Sequence, residues 1–233
     1  LKIICVMSIQ LVVFDLAGTT LHDQQDVHRV LQSALAHAGM SVTLEQANRV
    51  MGIPKPVAIR ELLDEINGVA RDVDDRRVEE IHHRFVKQMV EFYTYDPSVR
   101  ECAGVSATFQ KLNERGIKVM VDTGFSRDIT NAVLKRMQWV ENGLVAGSVC
   151  SDEVPRGRPY PDMIWRAMEL AGVSEVKHVA KVGDTQSDME EGTAAGCAYV
   201  IGITTGAFAR DQLLKTPHTH LISHIEEVLA IVS

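Results

Sequence analysis

Asp15 closes the apolar run "LVVF", and Asp122, Thr123, Gly183 and Asp184 close two other short β-rich runs further along the chain. A carboxylate at a strand end can attack phosphorus, ligate a hard cation, or simply cap the turn that follows. Thr123 and the backbone amides around Gly18 and Gly124 sit where strand-end loops donate hydrogen bonds to anions. Asp188 follows Asp184 by one helical turn, Arg158 lies in "GRPYPD", and Lys55 lies in the proline-rich "MGIPKPVAI". Each also has an ordinary reading. Thr123 could be a helix N-cap, Asp184 and Asp188 turn and capping acids, and Arg158 and Lys55 solvated loop charges.

The elements that would bring these groups together are readable from residue 116 onward. There "GIKVMVDTG", a helix to about Met137, "GLVAGSVC", the helix "PDMIWRAMELAG", "HVAKVGD", the helix "SDMEEGTAAG" and "AYVIGI" follow one another. That alternation predicts a doubly wound, Rossmann-like parallel sheet with helices on both faces, and Gly116, Gly172 and Gly196 are placed to stop helices. Ligands of such sheets bind at the carboxyl ends of the strands, where Asp15, Asp122, Thr123, Gly183 and Asp184 fall.

Between the first strand and residue 116 the period changes. "DVHRVLQSALAHAG", "TLEQANRVMG", "PVAIRELLDEING" and "DRRVEEIHHRFVKQMVEFY" are amphipathic helical runs with no convincing strand. The expected division is a Rossmann-like core over 1–22 and 95–233 with an α-helical cap inserted over 23–94. No internal repeat or low-complexity tract is present.

The 233 residues can bury a substantial core, and 45% hydrophobic content with a formal net charge of -7 suits a globular protein and argues against a nucleic-acid surface. Cys5, Cys102, Cys150 and Cys197 form no C-x-x-C pair, which fits a reducing cytoplasm. The opening "LKIICVMSIQLVVF" lacks a small-residue cleavage site and reads as the first strand, with Met7 a natural start and Leu1 to Val6 an extension. No apolar run reaches the roughly 20 residues of a membrane span. His82-His83 and His218-x-His220 have no companion ligand set for a metal, and Met40, Met51, Met89 and Met168 read as packing residues.

Four stretches, "DLAGTT" at 15–20, "VDTGFSR" at 121–127, "GRPYPD" at 157–162 and "VGDTQSDMEEG" at 182–192, together resemble the haloacid dehalogenase superfamily over essentially the whole core. The resemblance implies that Asp15 is the nucleophile and forms an aspartyl-phosphate. Mg²⁺ would be held by Asp15, the carbonyl of Ala17 and Asp184, with Asp188 direct or through water. Gly18, Thr123, Gly124 and Arg158 would bind phosphate, Arg158 as a bidentate cation.

Ala17 carries the most information. Superfamily phosphatases usually have an aspartate there as general acid and base, and losing such a group costs about 10²- to 10⁴-fold. The branch that carries alanine is phosphonoacetaldehyde hydrolase. "DLAGTT", "MGIPKPVAIREL", "TGFSR", "VPRGRPYP" and "KVGDTQSDMEEG" resemble that family or its phosphonatase-like relatives. Lys55 aligns with the family's Schiff-base lysine, just before a helix expected to begin near Pro56, where dipole and burial lower an amine pKa. An imine gives the departing carbon an electron sink, so less is asked of an acid beside Asp15.

Two residues depart from that family: Ala58 replaces the histidine three positions after the lysine, and Phe125 replaces the tyrosine after "TG". The expected activity is Mg²⁺-dependent cleavage of the carbon-phosphorus bond of phosphonoacetaldehyde or a related phosphonate. The alternatives are a phosphomonoester phosphatase in which Lys55 only binds substrate, and an inactive phosphate-binding protein. The expected partner is a small phosphonate or phosphate, with neither nucleic acid nor membrane, and the resemblance implies a homodimer through the cap.

Overall fold

The computed structural model describes residues 8–67 and 74–233. The expected start at Met7, the extension over residues 1–6, Cys5 and residues 68–73 of the expected insertion lie outside them. Six strands form one parallel sheet: β1 (Leu11–Phe14), β2 (Lys118–Thr123), β3 (Gly147–Cys150), β4 (Val179–Gly183), β5 (Tyr199–Ile203) and β6 (His220–Ile222). Their order is β3-β2-β1-β4-β5-β6. This is the doubly wound arrangement expected from the alternation, with the topological switch beside β1.

Strand β1 reads as a continuous apolar run because both of its faces are covered. Leu11 and Val13 pack with Met163, Ile164 and Ala167 of α7 (Asp162–Ala171) on one face. Val12 and Phe14 pack on the other in the larger core cluster, where Phe14 meets Phe109 of α5 (Val105–Glu114) at 5.1 Å between ring centroids. The register aligns Phe14 with Val121 of β2 and Val182 of β4. Asp15, Asp122 and Gly183 therefore emerge side by side at one sheet edge.

Among the described residues between β1 and α5 lie four helices: α1 (Asp26–His37), α2 (Leu44–Arg49), α3 (Lys55–Asn67) and α4 (Asp75–Tyr95). Among the described residues this region contributes no strand to the sheet. Helix α4 buries Val78, Ile81, Phe85, Met89 and Tyr93, an i, i+3/i+4 stripe. It packs against α1, α3 and also α6 (Arg127–Met137), which follows β2. The larger apolar cluster is thus shared by the sheet and these helices.

Gly172 and Gly196 cap α7 and α8 (Gln186–Ala195) in left-handed conformation. The run "GLVAGSVC" is strand only from Gly147, and α3 begins one residue earlier than expected, at Lys55. The edge strand β6 went unanticipated because three residues carry no readable alternation. No helix among the described residues is long and apolar enough to cross a membrane.

Candidate active site

Asp15, Ala17, Lys55, Thr123, Gly124, Arg158 and Asp184 line one pocket beyond the carboxyl ends of β1, β2 and β4. The inserted helices and their loops add Asp23, Val27, His28, Met51 and Gly52, and Phe125, Thr185 and Ala207 complete the wall. Both Asp15 and Lys55 are nearly inaccessible, at 5% and 3% exposure. The Lys55 ammonium donates weakly to the Ile53 carbonyl at 3.4 Å and stands 6.0 Å from the Phe125 ring centroid. Burial lowers its pKa from the usual 10.5 to about 8, partly opposed by the charge of Asp15. The expected depression of that amine is present, with burial as its first cause.

Glycine lets the loop of Lys55 press onto the sheet edge. A Cβ on Gly124 would stand 2.8 Å from the Gly52 carbonyl oxygen and 2.9 Å from that of Ile53. A Cβ on Gly18 would meet Asp184 Oδ2 at 2.6 Å, so that turn also needs its glycine, at φ +89°.

The acids are held by their own loops. The Thr19 hydroxyl donates to Asp184 Oδ1 at 2.9 Å and the Ala207 amide to Oδ2 at 2.7 Å. Asp188 sits in the capping box of α8, where its Oδ2 accepts from the Thr185 amide at 3.1 Å. Its Oδ1, 3.0 Å from Arg158 Nη1 and 3.2 Å from Lys181 Nζ, receives no well-directed hydrogen bond. Thr123 Oγ1 accepts from the Phe125 amide at 3.2 Å, leaving its own proton free to donate.

Arg158 is placed differently from the phosphate fork expected of it. Its Nη1 donates to Asp15 at 2.7 Å, its Nε to Glu191 at 2.9 Å, and its Nη2 to the Asp122 carboxylate and carbonyl. With every nitrogen engaged by this chain, the guanidinium holds Asp15 and its acidic neighbours. Lys181 adds a second buried cation against Asp122, Asp188 and Glu191.

Five buried acids (Asp15, Asp122, Asp184, Asp188, Glu191) thus face two fully engaged cations, Arg158 and Lys181. Burial works to raise Asp122, but Lys181 and Arg158 prevail and hold it low. Asp15 is pushed up to about 6 by burial against the pull of Arg158, and Glu191 to about 8 by burial and Asp122. Burial, with the charges of Asp15 and Asp188, drives Asp184 well above the usual carboxylate range. Carboxylate oxygens of Asp15, Asp184 and Asp188 all lie within 4.8 Å of one another. This excess negative charge, with an oxygen of Asp188 lacking a directed partner, fits a small hard cation such as Mg²⁺.

Several of these residues were not anticipated. Glu191 follows Asp188 by three positions on the buried face of α8, and Lys181 interrupts a buried apolar strand, so each left a periodicity signal. His28 lies beside Val27 and one turn before Leu31 on the buried stripe of α1. Tyr93 meets Phe125 edge-on at 5.9 Å, and burial together with Asp23, Asp26 and Asp15 raises its phenol pKa well above the usual value. The His218 and His220 rings are each held locally, by the Thr216 carbonyl and the Thr219 hydroxyl.

A family model described as haloacid dehalogenase-like hydrolase matches residues 12–202. A phosphonoacetaldehyde hydrolase of Hahella chejuensis is 34% identical over 213 residues, covering 84% of this chain and 68% of that protein. One from Bacillus cereus is 34% identical over 212 residues, covering 86% and 78%. Among solved structures, a hydrolase from Pseudomonas syringae superposes with a TM-score of 0.83 at 17% identity, over 95% of this chain and 96% of that one. A phosphonoacetaldehyde hydrolase-like protein from Oleispira antarctica gives 0.79 at 21% identity, over 97% and 91%. At these identities the structural likenesses speak for the fold.

Proposed function

The chain belongs to the haloacid dehalogenase-like hydrolase family and is an enzyme, and from that premise we propose that it cleaves the carbon-phosphorus bond of phosphonoacetaldehyde or a closely related aldehyde phosphonate. The observation that carries this reading is a buried lysine, Lys55, with a depressed pKa, sharing a pocket with Asp15 beside which Ala17 offers no acid. Two relatives at 34% identity are named for hydrolysis of that aldehyde.

In this reading Lys55 condenses with the aldehyde and becomes an iminium. A carboxylate oxygen of Asp15 then bonds to phosphorus as the carbon-phosphorus bond breaks. The released electron pair becomes the carbon-carbon double bond of an enamine, with the iminium nitrogen as sink. Protonation and hydrolysis free acetaldehyde from Lys55, and water cleaves the aspartyl-phosphate to phosphate. Arg158 keeps Asp15 oriented and anionic, and Thr123 donates to a phosphoryl oxygen, with the Gly124 amide completing the cradle; the Gly18 amide expected there instead donates to the Leu21 carbonyl at 2.9 Å. Asp15, the Ala17 carbonyl, Asp184 and Asp188 are the groups that would hold Mg²⁺. When bound, Mg²⁺ neutralises charge between the phosphoryl group and these acids.

The test is phosphate release from phosphonoacetaldehyde with Mg²⁺, comparing the native protein with Lys55→Arg, which keeps the charge but forms no imine readily. Release by the native protein that is lost in the variant supports the proposal. Release from simple phosphate esters at equal rates by both would replace it with phosphomonoester hydrolysis.

A further inference from the structure

Condensing an amine with an aldehyde moves protons as well as bonds. Protonated Lys55 begins with three hydrogens on nitrogen and ends, as an iminium, with one, while the two that leave depart with the aldehyde oxygen as water. Some group beside the lysine must carry them from nitrogen to oxygen, and Ala58, one turn along α3, cannot. A histidine from a different helix lines the same pocket.

His28, from α1, lines the same pocket as Lys55 and is only 2% exposed. Its Nε2 lies 2.9 Å from Oδ1 of Asn48 on α2. An amide oxygen only accepts, so in this assignment Nε2 carries the ring proton and Nδ1 carries the lone pair. That Nδ1 is buried and has no hydrogen-bond partner. Buried ring nitrogens without partners are uncommon, because desolvation is then uncompensated. Asp23 lines the pocket too, and its charge acts on Lys55. One of its oxygens accepts the Asp26 amide at 2.6 Å, which fixes the orientation of the carboxyl group.

We propose that His28 is a catalytic residue, whose Nδ1 takes the protons leaving the Lys55 nitrogen and passes them to the aldehyde oxygen. The first transfer frees the amine to attack. The carbon-nitrogen bond forms, the carbonyl pair moves to oxygen, and the imidazolium protonates that oxygen. Nδ1 then takes a second proton from nitrogen and delivers it to the hydroxyl, which leaves as water while the nitrogen lone pair closes the C=N bond. The ring ends as it began and no other reactant is consumed. Asn48 is a positioning residue, holding the tautomer that makes this possible. The proposal rests on the imine reading of Lys55.

The experiment is borohydride trapping of the full chain with phosphonoacetaldehyde and Mg²⁺, following the reduced adduct on the intact protein by mass spectrometry over time. His28→Asn places an amide near the Nδ1 position, which makes hydrogen bonds but does not take up a proton near neutral pH. Adduct formation slowed by about 10²-fold or more in this variant, with melting close to native, supports the proposal. Trapping at the native rate in His28→Asn overturns it and leaves the role of Lys55 standing. A native protein that gives no adduct overturns both. Should His28→Asn melt early, Asn48→Leu decides: adduct formation slowed by about tenfold supports the proposal, and an unchanged rate overturns it.

Discussion

Gly124 at the end of β2 lies directly against Gly52 in the loop that carries Lys55, with room for no side chain between the Gly124 Cα and the Gly52 carbonyl. The neighbours of that missing Cβ are backbone atoms, which cannot swing aside. Contact between the lysine loop and the sheet edge that carries Asp15 therefore depends on a hydrogen atom where every other residue has a carbon.

Gly124→Ala is expected to lower kcat for phosphate release by about tenfold to a hundredfold, since displacements near 1 Å at a reacting centre cost on that scale. Steady-state kinetics on the variant checks it. Unchanged kcat would mean that the loop need not close as tightly as it does here.

Lys55 titrates at about 8 when folded and near 10.5 when unfolded, so the folded state binds fewer protons between those values. The cost of its buried charge is full below pH 8 and disappears as pH rises toward 10.5. Lys55→Met is accordingly expected to stabilise the protein near neutrality, by up to about 3 kcal/mol on the usual conversion. The gain should shrink between pH 8 and 10.5. Urea unfolding of both proteins at several pH values measures the difference, and a gain that grows with pH would contradict the assignment.

The same amine must be neutral to attack an aldehyde. Borohydride trapping in the native protein is therefore expected to rise with pH and level off above about 8. A trapping rate that falls over that interval would show that some other group limits the step.

Lys181 is fully buried against Asp122, Asp188 and Glu191. Lys181→Met leaves those carboxylates short of a counter-charge, and breaking a buried pair in this way typically costs about 3–5 kcal/mol. Thermal and denaturant unfolding test this. A loss below about 1 kcal/mol would mean that the acids are protonated in the folded protein.

The crowding of Asp15, Asp184 and Asp188 leads to the expectation that Mg²⁺ stabilises the native protein, by about 2.7 kcal/mol when present at 100 times its Kd. In Asp184→Asn the metal-dependent increment should largely vanish. Chelation should stop turnover, and re-addition of Mg²⁺ should restore it. Equal melting temperatures with and without the ion would remove these three acids from consideration as its site.

The sequence by itself determined the sheet apart from its short edge strand β6, most helix ends and the row of chemical groups at strand ends, because these depend on local patterns. An apolar run ending in Asp15, a glycine after a helix, and Ala17 two residues beyond Asp15 are all legible within a few positions. The tertiary structure decided which groups face one another across long separations. Arg158 reads as a free loop cation, yet folding carries it into a cage of four carboxylates spread from Asp15 to Glu191. His28 and Asn48 read as ordinary helical polar residues, and only the docking of α1 and α2 over the sheet edge brings that imidazole into the pocket of Lys55. The physical reason is that a side chain's chemistry is set by desolvation and by the charges around it. In a packed interior those come from whichever segments the whole chain brings together.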